Sequence, residues 1–249
     1  MKDKKEQEKK QRNQHKVRLK AVKEKSRLQA LEARFATPIF REEEGALLEK
    51  KNFLIVCVGE NTEPQYFEKF KPTRALVIPL TKAYDPLSQA QWTCNAANIR
   101  KIEREEAKKR GLENFTFDEI WCVFDKDDFD AGQFNNAVTL CGQNNVGCAF
   151  SNEAFELWLI LHFENLHAPY GRQDYKAKLN GHLNPLGLDY TDSKNVSDEL
   201  FSILSPLLET AKRNARNGYL FHSTQGHTPA QSQSATTVYK LVTELQKYS

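Results

Sequence analysis

The segment from Phe115 to Asp130 closes on four aspartates in six residues, Asp125, Asp127, Asp128 and Asp130, directly after the apolar run Ile120 to Phe124. A run of that length is a buried strand, and its end hands carboxylates to solvent. Residues two apart on an extended chain point the same way, which predicts an Asp125–Asp127 pair with Lys126 and Asp128 facing elsewhere. Paired carboxylates suit a hard divalent cation. Without one, like charges repel and raise one of the two pKa values, so the pair either binds metal or is tolerated through good solvation. Asp128 or Asp130 is expected to cap the helix that follows.

The flanking sequence supplies the elements that must position these groups. Phe53 to Val58 is continuously apolar and ends at Gly59, Pro64 suits the first turn of a helix reaching about Lys71, and Ala75 to Leu80 is a second strand. Asp85-Pro86 starts a helix that stops at Gly111, Glu119 to Phe124 is the third strand, a helix covers about Gln133 to Asn144, and Val146 to Phe150 is a short fourth strand. Alternating elements with apolar, unpatterned strands predict an α/β fold, a parallel sheet flanked by helices. Ligands of such sheets gather at the carboxyl ends of the strands, where Glu60 and Asp125 would both lie.

Ser151 to Glu164 opens with helix-capping residues and reads as a buried helix, in which Glu156 needs a partner, a metal or a route to solvent. Gly171 to Asn195 reads as polar and irregular. Val196 to Asn217 reads as an amphipathic helix interrupted near Ser205-Pro206. A long loop from Gly218 to Ala235, able to close over a substrate or a partner, precedes a helix at Thr236 to Val242, so the C-terminal part is helical.

Charge divides the chain. Residues 1–35 hold 13 Lys and Arg against 5 Asp and Glu, and the remainder holds 23 against 28. Residues 1–50 therefore form a basic arm and linker, the arm helical from Val17, ahead of a mildly acidic body at 51–249. A polybasic arm is either a solvated tail or a segment that displaces counterions from phosphates. The five cysteines show no Cys-x-x-Cys spacing and read as reduced core residues. No stretch is long enough to span a bilayer and the charged N-terminus lacks a signal's apolar core, so a cytoplasmic protein is expected. His162 and His167 have neither zinc-helix nor finger spacing, and no phosphate-binding Gly-x-x-x-x-Gly-Lys motif occurs, so ATP chemistry would come from a partner.

Three blocks together, Phe53 to Phe67, Trp121 to Asp128 and Phe150 to Phe163, resemble the signature blocks of the RloB family, and the likeness runs from about residue 51 to the C-terminus. The resemblance implies a Toprim-like core at about 51–165, similar to the metal-dependent catalytic module of topoisomerases and primases. It further implies a phage-defence nuclease that cuts DNA or RNA and works beside an ATPase of the structural-maintenance-of-chromosomes kind. By that likeness Glu60, Asp125 and Asp127 are the catalytic candidates. They would hold Mg²⁺ or Mn²⁺ together with Glu63 and Asp128, with Asn152 and Glu156 as further candidates and Lys126, Lys194 and Arg213 as phosphate contacts. The family's leading glutamate after the first strand is here Val58. That substitution leaves a second function open, a non-catalytic nucleic-acid-binding or regulatory subunit of an ATPase complex.

Overall fold

A computed structural model describes residues 51–58, 61–70, 74–80, 85–166, 170–190 and 195–248. The arm and linker, Glu60, His167 and Lys194 lie outside the described residues. Four strands, β1 (Asn52–Val58), β2 (Arg74–Leu80), β3 (Glu119–Asp125) and β4 (Gly147–Ser151), form one sheet in the order β2-β1-β3-β4. All three pairings are parallel.

The absence of polar alternation in these strands follows from burial on both sides. Phe53, Ile55, Cys57, Trp121, Val123 and Ala149 point into one core. Their sequence neighbours Leu54, Val56, Cys122, Phe124 and Phe150 point into the layers opposite. The second face is covered by α2 (Pro86–Thr93), α3 (Ala96–Arg110) and α4 (Ala131–Gln143), whose Ala90, Ile99, Ile102, Phe134 and Ala137 are buried. The first face receives α1 (Thr62–Phe67) and the C-terminal helices α5 (Glu156–Ile160), α6 (Arg172–Leu183), α7 (Asp198–Leu204), α8 (Leu208–Thr224) and α9 (Val238–Gln246).

Several local outcomes differ from the sequence reading. The helix expected from Asp85 to Gly111 is two helices, because Asn95 leaves helical geometry and its side chain accepts from Ala97 N–H at 2.9 Å, starting α3 afresh. Gly111 ends α3 as expected, with a φ of 67° that favours glycine. Ser151 to Glu153 does not cap a helix. Ser151 ends β4, and the segment that follows pairs with the turn after β3, Lys126 N–H donating to Ser151 O and Asp127 N–H to Glu153 O, so α5 is confined to one short turn-and-a-half beyond it. The supposedly irregular Gly171 to Asn195 contains α6, whose buried Tyr175, Leu179 and Leu183 recur every fourth residue. Its remaining positions are polar enough to hide that stripe. The loop expected from Gly218 starts later, because α8 runs to Thr224.

The chain leaves β1 towards β2 on one side and returns to place β3 on the other. The reversal of strand order therefore lies between β1 and β3, and the carboxyl ends there, Val58 and Asp125, are where sheets of this kind place their ligands. Gln89 of α2, wholly buried, braces this junction, with Nε2 donating to Val56 O at 3.0 Å and to Val123 O at 2.8 Å. Further along the sheet, Trp121 and Gly147 are register partners, and a Cβ on Gly147 would meet the indole ring at 2.3 Å. Gly147→Ala is therefore expected to lower stability by about 1–3 kcal/mol through overpacking, measured by denaturant unfolding. Trp121→Leu in the same chain should recover part of that loss, and an unchanged midpoint for Gly147→Ala would place the ring elsewhere.

Candidate functional site

Asp125 is the last residue of β3 and sits at the strand-order reversal. One carboxylate oxygen, Oδ2, accepts from the backbone N–H of Phe155 at 2.9 Å. The other, Oδ1, is shielded from solvent and has no hydrogen-bond partner. Burial pushes this carboxyl well above the usual carboxylate range, and the charges of Glu63, Glu156 and Asp127 push it further, against the Phe155 bond. Four carboxylates contributed by α1, β3, the turn after it and α5 thus act on one spot.

Their supports come from the C-terminal half. Glu156 is only 4% exposed and accepts from the Tyr190 hydroxyl at 3.3 Å. The same hydroxyl lies 3.1 Å from Thr62 Oγ1, which ties the start of α1 to α5 through Tyr190. Burial, and then the charge of Glu156, raise the Tyr190 phenol far above its ordinary value. Tyr190 is itself fixed by Asn180, which accepts from its N–H at 2.7 Å and donates to its carbonyl at 3.1 Å. On the other flank the Tyr175 hydroxyl donates to Asn152 O at 3.3 Å and lies 3.2 Å from Ser234 Oγ. Burial raises the Tyr175 phenol to about 12, with Glu153 and Asp125 adding to the shift.

The remaining sequence candidates are placed as follows. Asp127 does not share a strand face with Asp125, because β3 ends at Asp125 and Asp127 adopts a φ of 45° in the ensuing turn. The alternation behind the predicted pair stops one residue too early. Lys126 Nζ donates to Asp127 O at 3.0 Å, which keeps a cation beside the turn. Asp128 is exposed. The cap of α4 is Asp130, which accepts from Gly132 and Gln133 N–H. Asn152 is a clip, its amide donating to Pro229 O and Ala230 O at 3.0 and 3.1 Å, and with buried Ser232, Ser234, Thr236 and Thr237 it pins the loop after α8 to the end of β4. Arg213 lies on α8 in a groove with Glu209, Lys212, Arg216, Leu220 and Tyr239. Among the described residues Arg213 makes no hydrogen bond or ion pair with the carboxylates, and no three His, Cys, Asp or Glu side chains form a ready-made metal-holding group.

Sequence reasoning missed Thr62, Tyr175, Tyr190 and Gln89. Each is an isolated polar residue joined to the site by contacts more than twenty residues distant in sequence, so no spacing within the chain could have revealed it. Among the described residues no helix is long and apolar enough to cross a membrane.

Comparison with known families matches residues 53–245 to the model described as RloB-like protein. No curated protein and no solved structure matches.

The pKa direction at Asp125 makes a stability prediction. Its folded-state pKa lies above the unfolded value, so the folded state holds the extra proton and stability declines as pH rises above about 4, the ordinary carboxylate range. Asp125→Asn keeps an oxygen for the Phe155 N–H and removes the charge. In chelator-treated protein it is expected to melt higher than wild type at pH 7, with the gap closing as pH falls through 4. A variant that melts lower at pH 7 would mean that ionised Asp125 is stabilised by a partner.

Proposed function

Starting from a chain that belongs to the RloB-like family, we propose that it is a divalent-metal-dependent nuclease, the effector of an antiphage system working with a separate ATPase in the cytoplasm. The observation that carries this reading is Asp125. Its shielded, unpartnered Oδ1 sits at the strand-order reversal among the charges of Glu63, Asp127 and Glu156. Mutually repelling, partly dehydrated carboxylates fit a hard cation in charge and donor type.

Asp125, Asp127 and Glu63 would hold Mg²⁺ or Mn²⁺, with Glu60 and the exposed Asp128 as additional oxygen donors. A bound ion of this kind supplies Lewis-acid polarisation of a phosphate oxygen and a lowered pKa for attacking water. The chain's own residues do the rest. Phe155 N–H fixes the Asp125 carboxylate by one oxygen and leaves the other for the ligand. Tyr190, anchored by Asn180, holds Glu156 in place. Lys126 stays beside the Asp127 turn, where it is available to a phosphate, and Lys194 and Arg213 are the further phosphate contacts of this reading. DNA and RNA are both accommodated, because phosphate recognition carries no base information.

A second reading is favoured by two observations. Val58 ends β1 where the family places a carboxylate, and the described carboxylates form no ready-made metal-holding group. In that reading the chain is a non-catalytic nucleic-acid-binding or regulatory subunit of the ATPase complex.

Thermal melting in Mg²⁺ or Mn²⁺ separates the two. The nuclease reading expects the ions to stabilise wild type, by about 2.7 kcal/mol at a hundred times the dissociation constant, and expects Asp125→Ala and Asp127→Ala to lose both that shift and metal-dependent cleavage of DNA or RNA. Glu60→Ala should match the aspartate variants if Glu60 compensates for Val58, and Val58→Glu should then restore part of the activity in the Glu60→Ala background. Ion-independent melting together with undiminished nucleic-acid binding in all variants would select the non-catalytic subunit.

A further inference from the structure

Four of the five cysteines arrive from four separate elements at one place. Cys122 and Cys148 are register partners on β3 and β4. Buried Cys141 of α4 shares their apolar layer, and half-buried Cys94, at the C-terminal end of α2, packs against it. Cys57 points into the core on the opposite face of the sheet. Cys94 Sγ donates to the carbonyl of Leu140, the residue before Cys141, at 3.9 Å, which brings the end of α2 against α4 beside Cys141. Contacts from Cys122 and Cys148, and a smaller one from Cys94, outweigh burial and draw the Cys141 thiol down to about 4, while burial and Cys141 raise Cys94 to about 12.

Within this cluster the two strand cysteines are held by the β3–β4 ladder, and Cys122 also receives a hydrogen bond from Thr93 Oγ1 at 3.6 Å. Cys94 is different. It caps the end of α2, is followed by the non-helical Asn95, and is accessible at the surface. We infer that Cys94 and Cys141 form a peroxide-sensitive dithiol that closes to a disulfide between α2 and α4.

The chemistry balances with hydrogen peroxide as oxidant. The Cys141 thiolate attacks one peroxide oxygen, an S–O bond forms as the O–O bond breaks, and the departing hydroxide takes up a proton to leave as water. The Cys94 sulfur, giving up its proton, then attacks the Cys141 sulfur. An S–S bond forms, the S–O bond breaks, and a second water leaves. Two thiols are oxidised to one disulfide and peroxide is reduced to two waters. Because α2 also carries Gln89, the cross-link would fix the helix that braces the β1–β3 junction. The inference does not depend on the nuclease reading.

The test treats the full chain with graded hydrogen peroxide, followed by differential alkylation and peptide mapping. The expected product is a Cys94–Cys141 linkage that dithiothreitol reverses, with Cys57 left as a thiol. Cys94→Ser, at a half-exposed position compatible with folding, should abolish the linkage and leave Cys141 to accumulate as sulfinic acid, with an unchanged melting curve before oxidation. A Cys122–Cys148 linkage instead, oxidation of Cys57 at the rate of Cys141, no oxidation short of unfolding, or a stoichiometric metal retained by the four thiols in native mass spectrometry would each overturn the inference.

Discussion

A parallel sheet covered on both faces admits charge only at the ends of its strands. β1 and β3 obey this constraint throughout, apolar from Phe53 to Cys57 and from Trp121 to Phe124, and then release Asp125 where strand order reverses. The position of the carboxylates is thus dictated by the same burial that makes the strands. Moving Asp125 one residue earlier would bury its charge in a hydrophobic layer. Moving it later would lose the Phe155 N–H and the proximity to Glu156. Gln89, donating to the carbonyl two residues before the end of each strand, holds the two ends in register with one side chain.

The C-terminal half is more than a cover for the first face. α5 contributes Phe155's N–H through its cap and Glu156 through its first turn, α6 contributes Tyr175 and Asn180, and the segment after it contributes Tyr190. The loop after α8 is clipped by Asn152 and bridged to Ser151 by Thr236. It therefore buttresses the carboxyl edge of β4 instead of folding over it. This arrangement explains why the family match extends to residue 245 and does not stop at the sheet.

The strands and the acid at the end of β3 were legible because burial on two faces leaves a local signature, an unbroken apolar run followed by charge. The existence of α1 and α4 followed from local chemistry for the same reason, although α1 ends at Phe67 and not near Lys71, α4 starts at Ala131, and of the two cap candidates Asp130 caps it. The segment at Ser151–Glu153 was misread because Ser, Asn and Glu are good capping residues in any context, and pairing with Lys126 and Asp127 overrode that preference. The Asp125–Asp127 pair failed by one residue, since alternation holds only while the strand lasts. The thiol cluster was invisible because Cys94, Cys122, Cys141 and Cys148 share no motif spacing and meet only through the sheet register and the packing of two helices.

The buried Glu156 and the half-buried Asp125 impose a last condition on any function. The charge of Glu156 acts on Asp125 through poorly hydrated surroundings, where Phe155 N–H donates to Asp125 and the Tyr190 hydroxyl to Glu156. A neutral donor such as Phe155 N–H does not offset the dehydration of a carboxylate set beside like charges. The site therefore reaches neutrality by a proton on Asp125, in line with its raised pKa, or by a cation among the four acids. These alternatives are mutually exclusive at Oδ1, since a protonated oxygen is a poor cation ligand. Rising pH must then favour cation uptake. Val58, apolar at the end of β1, adds no charge to that balance.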